Sequence, residues 1–187
     1  MSKKQKTALL ILVILVFLLL IAVGGYIFIL NRYPLRYQES IVEYAGKYEL
    51  DPYFVCSIIW TESKFAPDVK SDRGAVGLMQ IMPQTGEWIA GKLKEDFSLE
   101  DLEDPAINIR YGCWYLHFLS ERLGGDRDLV AAAYNAGHNR VESWLEDPKY
   151  SADGTSLDKI PFEETKTYVE RTRASYKIYQ LCYRLEK

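Results

Sequence analysis

From residue 37 onward, apolar side chains recur every three to four positions, with short polar breaks between the runs. That period marks amphipathic helices, and no alternating run is long enough to make a strand. Ile41, Tyr44, Ala45 and Tyr48 form the first stripe. Asp51-Pro52 reads as the N-cap and first residue of a second helix that runs through Lys64. A polar, glycine-containing loop over residues 68–77 precedes a helix after Pro83, and residues 98–104 read as an acidic loop. Pro105 opens a long helix with Ile107, Tyr111, Trp114, Phe118 and Leu119 on its apolar side, stopped by Gly124-Gly125. Helices follow over residues 128–136, ended by Gly137, and 140–145. Residues 149–159 form a polar excursion, after which Pro161 starts a last helix to about Arg184. The expected fold class is mostly α.

Residues 7–30 break the amphipathic pattern. They form 24 consecutive uncharged, predominantly apolar positions with no polar face. As a helix they span roughly 36 Å, enough to cross a ~30 Å hydrocarbon core with some tilt. The rival is a cleaved signal peptide, with Ala22-Val23-Gly24 as a small-residue cleavage site. A signal peptide's apolar region is only ~7–15 residues long, whereas this one continues through Tyr26, Ile27, Phe28, Ile29 and Leu30. Lys3, Lys4 and Lys6 lie before the run, while Arg32 and Arg36 after it are soon offset by Glu39 and Glu43. The positive-inside rule therefore predicts a cytoplasmic N-terminus and an extracytoplasmic domain. The expected organisation is a cytoplasmic tail over residues 1–6, a single-pass transmembrane anchor over 7–30, a linker over 31–36 and one domain over 37–187.

Composition narrows the chemistry. Residues 31–187 hold 20 basic and 26 acidic side chains, a net charge of −6. An acidic domain without a basic block argues against nucleic acid as a partner, because phosphate contacts need clustered Lys and Arg. The two histidines, His117 and His138, have no second His or Cys at ligand spacing. Neither a metal nor an organic cofactor is implied. Cys56, Cys113 and Cys182 are far apart in sequence. They read as three small buried hydrophobes on helices, with one disulfide plus one free thiol as the alternative.

The most informative residue is Glu62. Val55, Ile58 and Ile59 mark the buried stripe of the second helix, and the next position in that series is Glu62. Burial disfavours the ionised form and raises a carboxyl pKa, which suits a general acid near neutral pH. Structural alternatives are a last-turn side chain that bends to solvent or pairs with an arginine. Downstream, two glycines in Ser71-Asp72-Arg73-Gly74-Ala75-Val76-Gly77 allow close backbone approach, Gln80 brings an amide and Met79 an adaptable apolar side chain. Tyr134 and Asn135 place a phenol and an amide beside Gly137.

Four motifs occur in order: Glu62-Ser63 with Phe65; Gly77-Leu78-Met79-Gln80-Ile81-Met82-Pro83; Ala133-Tyr134-Asn135-Ala136-Gly137; and Ile160-Pro161-Phe162-Glu163-Glu164-Thr165 with Tyr168-Val169. Over roughly residues 37–184 the chain thereby resembles the soluble-type lytic transglycosylases of bacterial cell walls, relatives of goose-type lysozyme. The resemblance implies a lysozyme-like helical domain whose cleft binds peptidoglycan glycan strands of alternating N-acetylglucosamine and N-acetylmuramic acid. By the same resemblance Glu62 is the catalytic acid, and Ser63, Ser71, Met79, Gln80, Tyr134, Asn135, Asp158 and Tyr168 form the substrate-binding set. One position departs from the family pattern: a glutamate usually stands two residues before the Ile-Pro pair, where this chain has Asp158, one methylene shorter.

Most glycosidases use two carboxylates, and here only Glu62 has a motif-supported place in the cleft. The expected reaction is therefore non-hydrolytic. Glu62 protonates the oxygen between muramic acid and glucosamine, the 2-acetamido group steadies the developing charge, and the muramyl C6 hydroxyl closes on C1 as Glu62 takes its proton. The product is a 1,6-anhydromuramyl end. Alternatives are a muramidase of the same bond, with Asp68 or Asp72 holding a water, and a non-catalytic glycan-binding envelope scaffold. A nucleophilic hydrolase is disfavoured, since no Gly-x-Ser-x-Gly occurs and no Cys has an assignable His partner.

Overall fold

The computed structural model describes residues 2–185. Met1, Glu186 and Lys187, counted above into the tail and the domain, lie outside the described residues. Two compact units form, divided after Pro34. The first is α1 (Lys3–Arg32), which carries two residues past the expected end of the apolar run. Ser2 and Gln5 close its N-terminus as a capping box, each side chain taking the other's backbone N–H. Among the described residues it is the one helix long and apolar enough to cross a membrane. Its apolar side chains from Leu9 to Ile29 are exposed around the helix.

The second unit is helical: α2 (Gln38–Lys47), α3 (Pro52–Ser63), α4 (Pro83–Leu93), a 3₁₀ turn (Leu99–Glu103), α5 (Pro105–Arg122), α6 (Arg127–Ala136), α7 (His138–Glu146) and α8 (Glu163–Cys182). Local chemistry explains most boundaries. Asp51 caps α3 by accepting the Tyr53 N–H at 2.9 Å, and Pro52 occupies the first turn, where no N–H is needed. Asp104 and Asp126 cap α5 and α6 in the same way. Gly124 and Gly125, at φ 65° and 76°, turn the chain out of α5.

Four expectations are corrected. Residues 98–104 are not a loop, because a Ser98–Asp101 capping box winds the 3₁₀ turn and buries Leu102. The last helix starts at Glu163, since Ile160-Pro161-Phe162 runs on outside it and Phe162 packs edge-on against Trp144. The buried face of α5 centres on Asn108, Ile109, Gly112, Cys113 and Leu116, whereas Ile107, Trp114 and Phe118 are half-buried. Gly112 dictates this facing, because a Cβ there would stand 2.1 Å from Met79 Sδ. α3 has no single stripe; Phe54 to Trp60 are all buried, since α3 lies against both α2 and α8. The cysteines are free thiols: Cys56 and Cys113 are buried, and Cys182, near the end of α8, is only half-buried. Burial pushes the Cys56 and Cys113 thiols up, which keeps them protonated and inert.

α8 runs along α3 and α6. Tyr168 meets Glu62 and Thr172 meets Thr61 on α3, and Thr165 meets Asn135 on α6. This layer places the C-terminal ends of α3 and α6 together beside the first half of α8.

Candidate active site

The chain turns sharply just after Glu62. Lys64 and Phe65 both adopt left-handed backbone, at φ 56° and 65°, a conformation that non-glycine residues seldom take and rarely in succession. Phe65 is fully buried against Tyr179, and that burial holds the strained turn. Ser63 fastens helix to loop, its hydroxyl donating to Leu78 O at 2.8 Å.

The loop between α3 and α4 is two nested turns. Val76 pairs with Ile81 through reciprocal backbone hydrogen bonds at 3.0 Å, and Gly77 N–H donates to Val69 O. Asn108, fully buried on α5, locks this arrangement. Its Oδ1 accepts the Met79 N–H at 2.8 Å, while its Nδ2 donates to Val76 O at 3.0 Å and Leu102 O at 2.8 Å. Tyr134 then ties the loop to α6 by donating to Met79 O at 2.8 Å.

Glu62 is half-buried. Its pKa rises from 4.5 to about 7, chiefly because burial removes water from the carboxylate; the Tyr168 hydrogen bond and the Lys64 charge pull the other way. Tyr168 O–H donates to Glu62 Oε1 at 2.8 Å. Burial and then the nearby Glu62 charge hold the phenols of Tyr134 and Tyr168 well above their ordinary range, so both stay neutral donors. Glu62 neither bends into solvent nor pairs with an arginine. Beside it opens a groove of about 490 Å³, lined by Thr61, Glu62, Asn135, Glu163, Glu164, Thr167, Tyr168 and Arg171. In Tyr168→Phe the donor that favours the ionised carboxyl is gone. A carbon-13 NMR titration of that variant is therefore expected to find the Glu62 midpoint moved upward, and an unmoved midpoint refutes the assignment.

A larger cavity, of about 800 Å³, lies toward the other end of α8. Two of its arginines pair with two of its acids, Arg173 with Asp128 at 2.5 Å and Arg127 with Asp51 at 3.5 Å. Glu62 does not line it.

An acid of raised pKa over a groove, beside a loop that reads Gly77-Leu78-Met79-Gln80-Ile81-Met82-Pro83, invites comparison with known proteins. The profile of the transglycosylase SLT domain matches residues 39–155. The chain belongs to the transglycosylase SLT domain family. It is 36% identical over 151 residues to the soluble lytic murein transglycosylase of Salmonella typhimurium, which takes in 77% of this chain and 23% of that one. It is 35% identical over 91 residues to the membrane-bound lytic murein transglycosylase E of Buchnera aphidicola, covering 47% of this chain and 41% of the relative. Among solved structures it resembles the 70 kDa soluble lytic transglycosylase of Escherichia coli, with a TM-score of 0.73, 32% identity, and coverage of 82% of this chain and 25% of that one. A complex of the 70 kDa enzyme with bulgecin A superposes at a TM-score of 0.74 with 32% identity, over the same shares of the two chains. The helical unit thus has the lysozyme-like SLT fold. The chain spans about a quarter of the length of the soluble relatives it matches.

Within this SLT domain the expected site residues separate into two groups. Glu62, Asn135 and Tyr168 line the groove together, and Tyr134 lies near enough for the Glu62 charge to act on its phenol. Asn135 Oδ1 accepts from Thr165 at 2.8 Å, which anchors α6 to α8. The others face inward or away. Ser63 is buried, and Met79 is fully buried against Gly112. Gln80 spends its amide N–H groups on Val69 O and Gly77 O, both at 2.9 Å. Ser71 Oγ accepts the Ala75 N–H inside its own turn. Asp158 is exposed and closes the 149–159 excursion by accepting the Ala152 N–H at 2.9 Å. Sequence reasoning named neither Asn108 nor the groove residues Thr61, Thr167 and Arg171. Helical spacing could have found Arg171, three residues after Tyr168, and Thr167, three after Glu164, since residues three and four apart share a face.

Proposed function

We propose that this chain cleaves peptidoglycan glycan strands between N-acetylmuramic acid and N-acetylglucosamine, with Glu62 as the acid and then the base. The observation that carries the reading is Glu62 itself: a half-buried carboxyl with a pKa of about 7, on a groove, in an SLT domain. At neutral pH a large fraction of it holds the proton that the glycosidic oxygen needs. As that proton moves to the oxygen, the C1–O bond breaks. The muramyl C6 hydroxyl then bonds to C1 and returns its proton to Glu62, which leaves a 1,6-anhydro end. Tyr168, bonded to Oε1, fixes the carboxyl's orientation and steadies it while it is ionised between the two transfers.

One observation favours hydrolysis as a second reading: Glu163 and Glu164, in the first turn of α8, also line the groove. Either would serve as the second carboxylate if it held a water. Asp68 and Asp72 do not line the groove. Mass spectrometry of released fragments decides between the readings. Fragments one water lighter than reducing ends are expected, and reducing ends alone overturn the non-hydrolytic reaction.

We further propose that α1 anchors the domain in the membrane with residue 31 onward outside. Its length and exposed apolar surface support the anchoring, and the three lysines in its first turn, ahead of the apolar run, support that orientation. The chain is expected to stay with the membrane through carbonate extraction and to lose its domain to protease added outside spheroplasts.

A further inference from the structure

The reaction proposed above gives a task to only one residue, Tyr168, on the α8 wall of the Glu62 groove. α8 lines it with Glu163, Glu164, Thr167, Tyr168 and Arg171. Tyr168 is occupied by Glu62. Arg171 lies one turn further along the same face, about 4.5 Å along the helix axis. It is exposed, and among the described residues no hydrogen bond or ion pair holds its guanidinium. Three other arginines of the domain are committed to acids: Arg173, two residues on, to Asp128, Arg110 to Glu95 and Arg122 to Glu142. Nor is Arg171 spent on the acid, because the cation whose charge acts on Glu62 is Lys64. A guanidinium held in a groove presents a planar fork of donors, which matches a carboxylate with two parallel hydrogen bonds.

The substrate class supplies such a group close to the scissile bond. Muramic acid differs from glucosamine by a lactyl ether at C3, on the same ring as the C1 at which the bond breaks. That lactyl group ends in a carboxylate on a bare strand, or in an amide to a stem peptide that carries carboxylates of its own. Resting on the function proposed above, we infer that Arg171 is a specificity-determining residue that binds a carboxylate borne on the muramyl side of the strand. Glu164, seven residues earlier on the same wall, gives the groove an opposite charge toward its other end.

The test compares the full chain in detergent with Arg171→Gln and Arg171→Lys. Four substrates are used: strands with stem peptides, strands stripped of peptides by an amidase, and each of these after its carboxylates are converted to methylamides. Wild type is expected to lose about tenfold or more in kcat/KM when the carboxylates are neutralised, mostly through KM. Arg171→Gln is expected to lose that discrimination, and Arg171→Lys to keep part of it. If neutralisation matters on stripped strands, the group read is the lactyl carboxylate; if it matters only on intact strands, it is the stem peptide's. An Arg171→Gln enzyme that cuts and discriminates like wild type overturns the inference alone. A wild-type chain that cuts no strand overturns the proposed function instead. Binding keeps the inference testable in that event: in the Glu62→Gln background, Arg171→Gln is expected to weaken sedimentation with anionic strands about tenfold, and equal binding overturns it.

Discussion

Glu62→Gln is expected to lose about a thousandfold or more in murein cleavage while gaining stability at alkaline pH. The loss follows from the role proposed for Glu62, since general acids contribute ~10²–10⁴-fold and in that proposal the same group is also the base. The gain follows from the shifted pKa. Burial raises the Glu62 pKa from 4.5 to about 7, so the folded chain holds this proton more tightly than the unfolded chain does. The stability that Glu62 contributes is therefore fully present below about pH 4.5, is lost as pH climbs toward 7 and levels off above it. Glutamine fills the same space, still accepts from Tyr168 and never ionises. Its advantage should be about 0.5 kcal/mol at pH 5 and reach about 2 kcal/mol at pH 8, after a discount for partial exposure. In a domain of this size that is a rise of about 5 °C in Tm. Thermal melts of the two chains at pH 5 and pH 8 check it. Equal Tm values at both pH values would show that the carboxyl is not held protonated by burial. In wild type, kcat/KM should fall about tenfold per pH unit above pH 7 as the acid form disappears.

The second large effect is structural. Gly77→Ala is expected to destabilise the domain by about 4 kcal/mol. Gly77 has φ +80°, where a Cβ is strained. The added carbon would also stand 2.3 Å from Asn108 Nδ2 and 2.6 Å from Leu102 O. The carbonyl is backbone and cannot step aside, and Asn108 cannot move without releasing Met79 N–H, Val76 O and Leu102 O, which its side chain holds. Backbone strain contributes about 1–3 kcal/mol, and the buried polar groups left unpaired contribute a similar amount. Gly74 is the control. Its φ is +87°, but nothing lies within 4 Å of its would-be Cβ, so Gly74→Ala should cost only about 1 kcal/mol. Chemical denaturation of the two variants against wild type measures the difference. If they are equally stable, Asn108 does not lock the loop.

The destinations of the site residues show how far the sequence could be read. Glu62 was legible because a carboxylate at a helix position otherwise filled by Ile and Val is a local anomaly, visible without any partner. Ser63, Met79 and Gln80 sit in recognisable motifs, yet the structure turns them inward to hold the loop. A motif records that a residue is needed and does not say whether the need is for binding or for support. Arg171 belongs to no motif; helical spacing puts it on the Tyr168 face, and only the packing of α8 along α3 and α6 turns that face onto the groove.

What the chain determined by itself are the features set by neighbours within a turn or two. Asp51 with Pro52 starts α3, Gly124 with Gly125 ends α5, and the uncharged run makes α1, because caps, positive-φ glycines and helical periodicity act over a few residues. What only the tertiary structure decided is the state of the acid and the shape of the groove around it. The donor to Glu62 comes from Tyr168, 106 positions away, and the side chain that pins Met79 comes from Asn108, 29 positions away. Burial and long-range hydrogen bonding set a carboxyl's pKa, and neither exists until distant segments pack together.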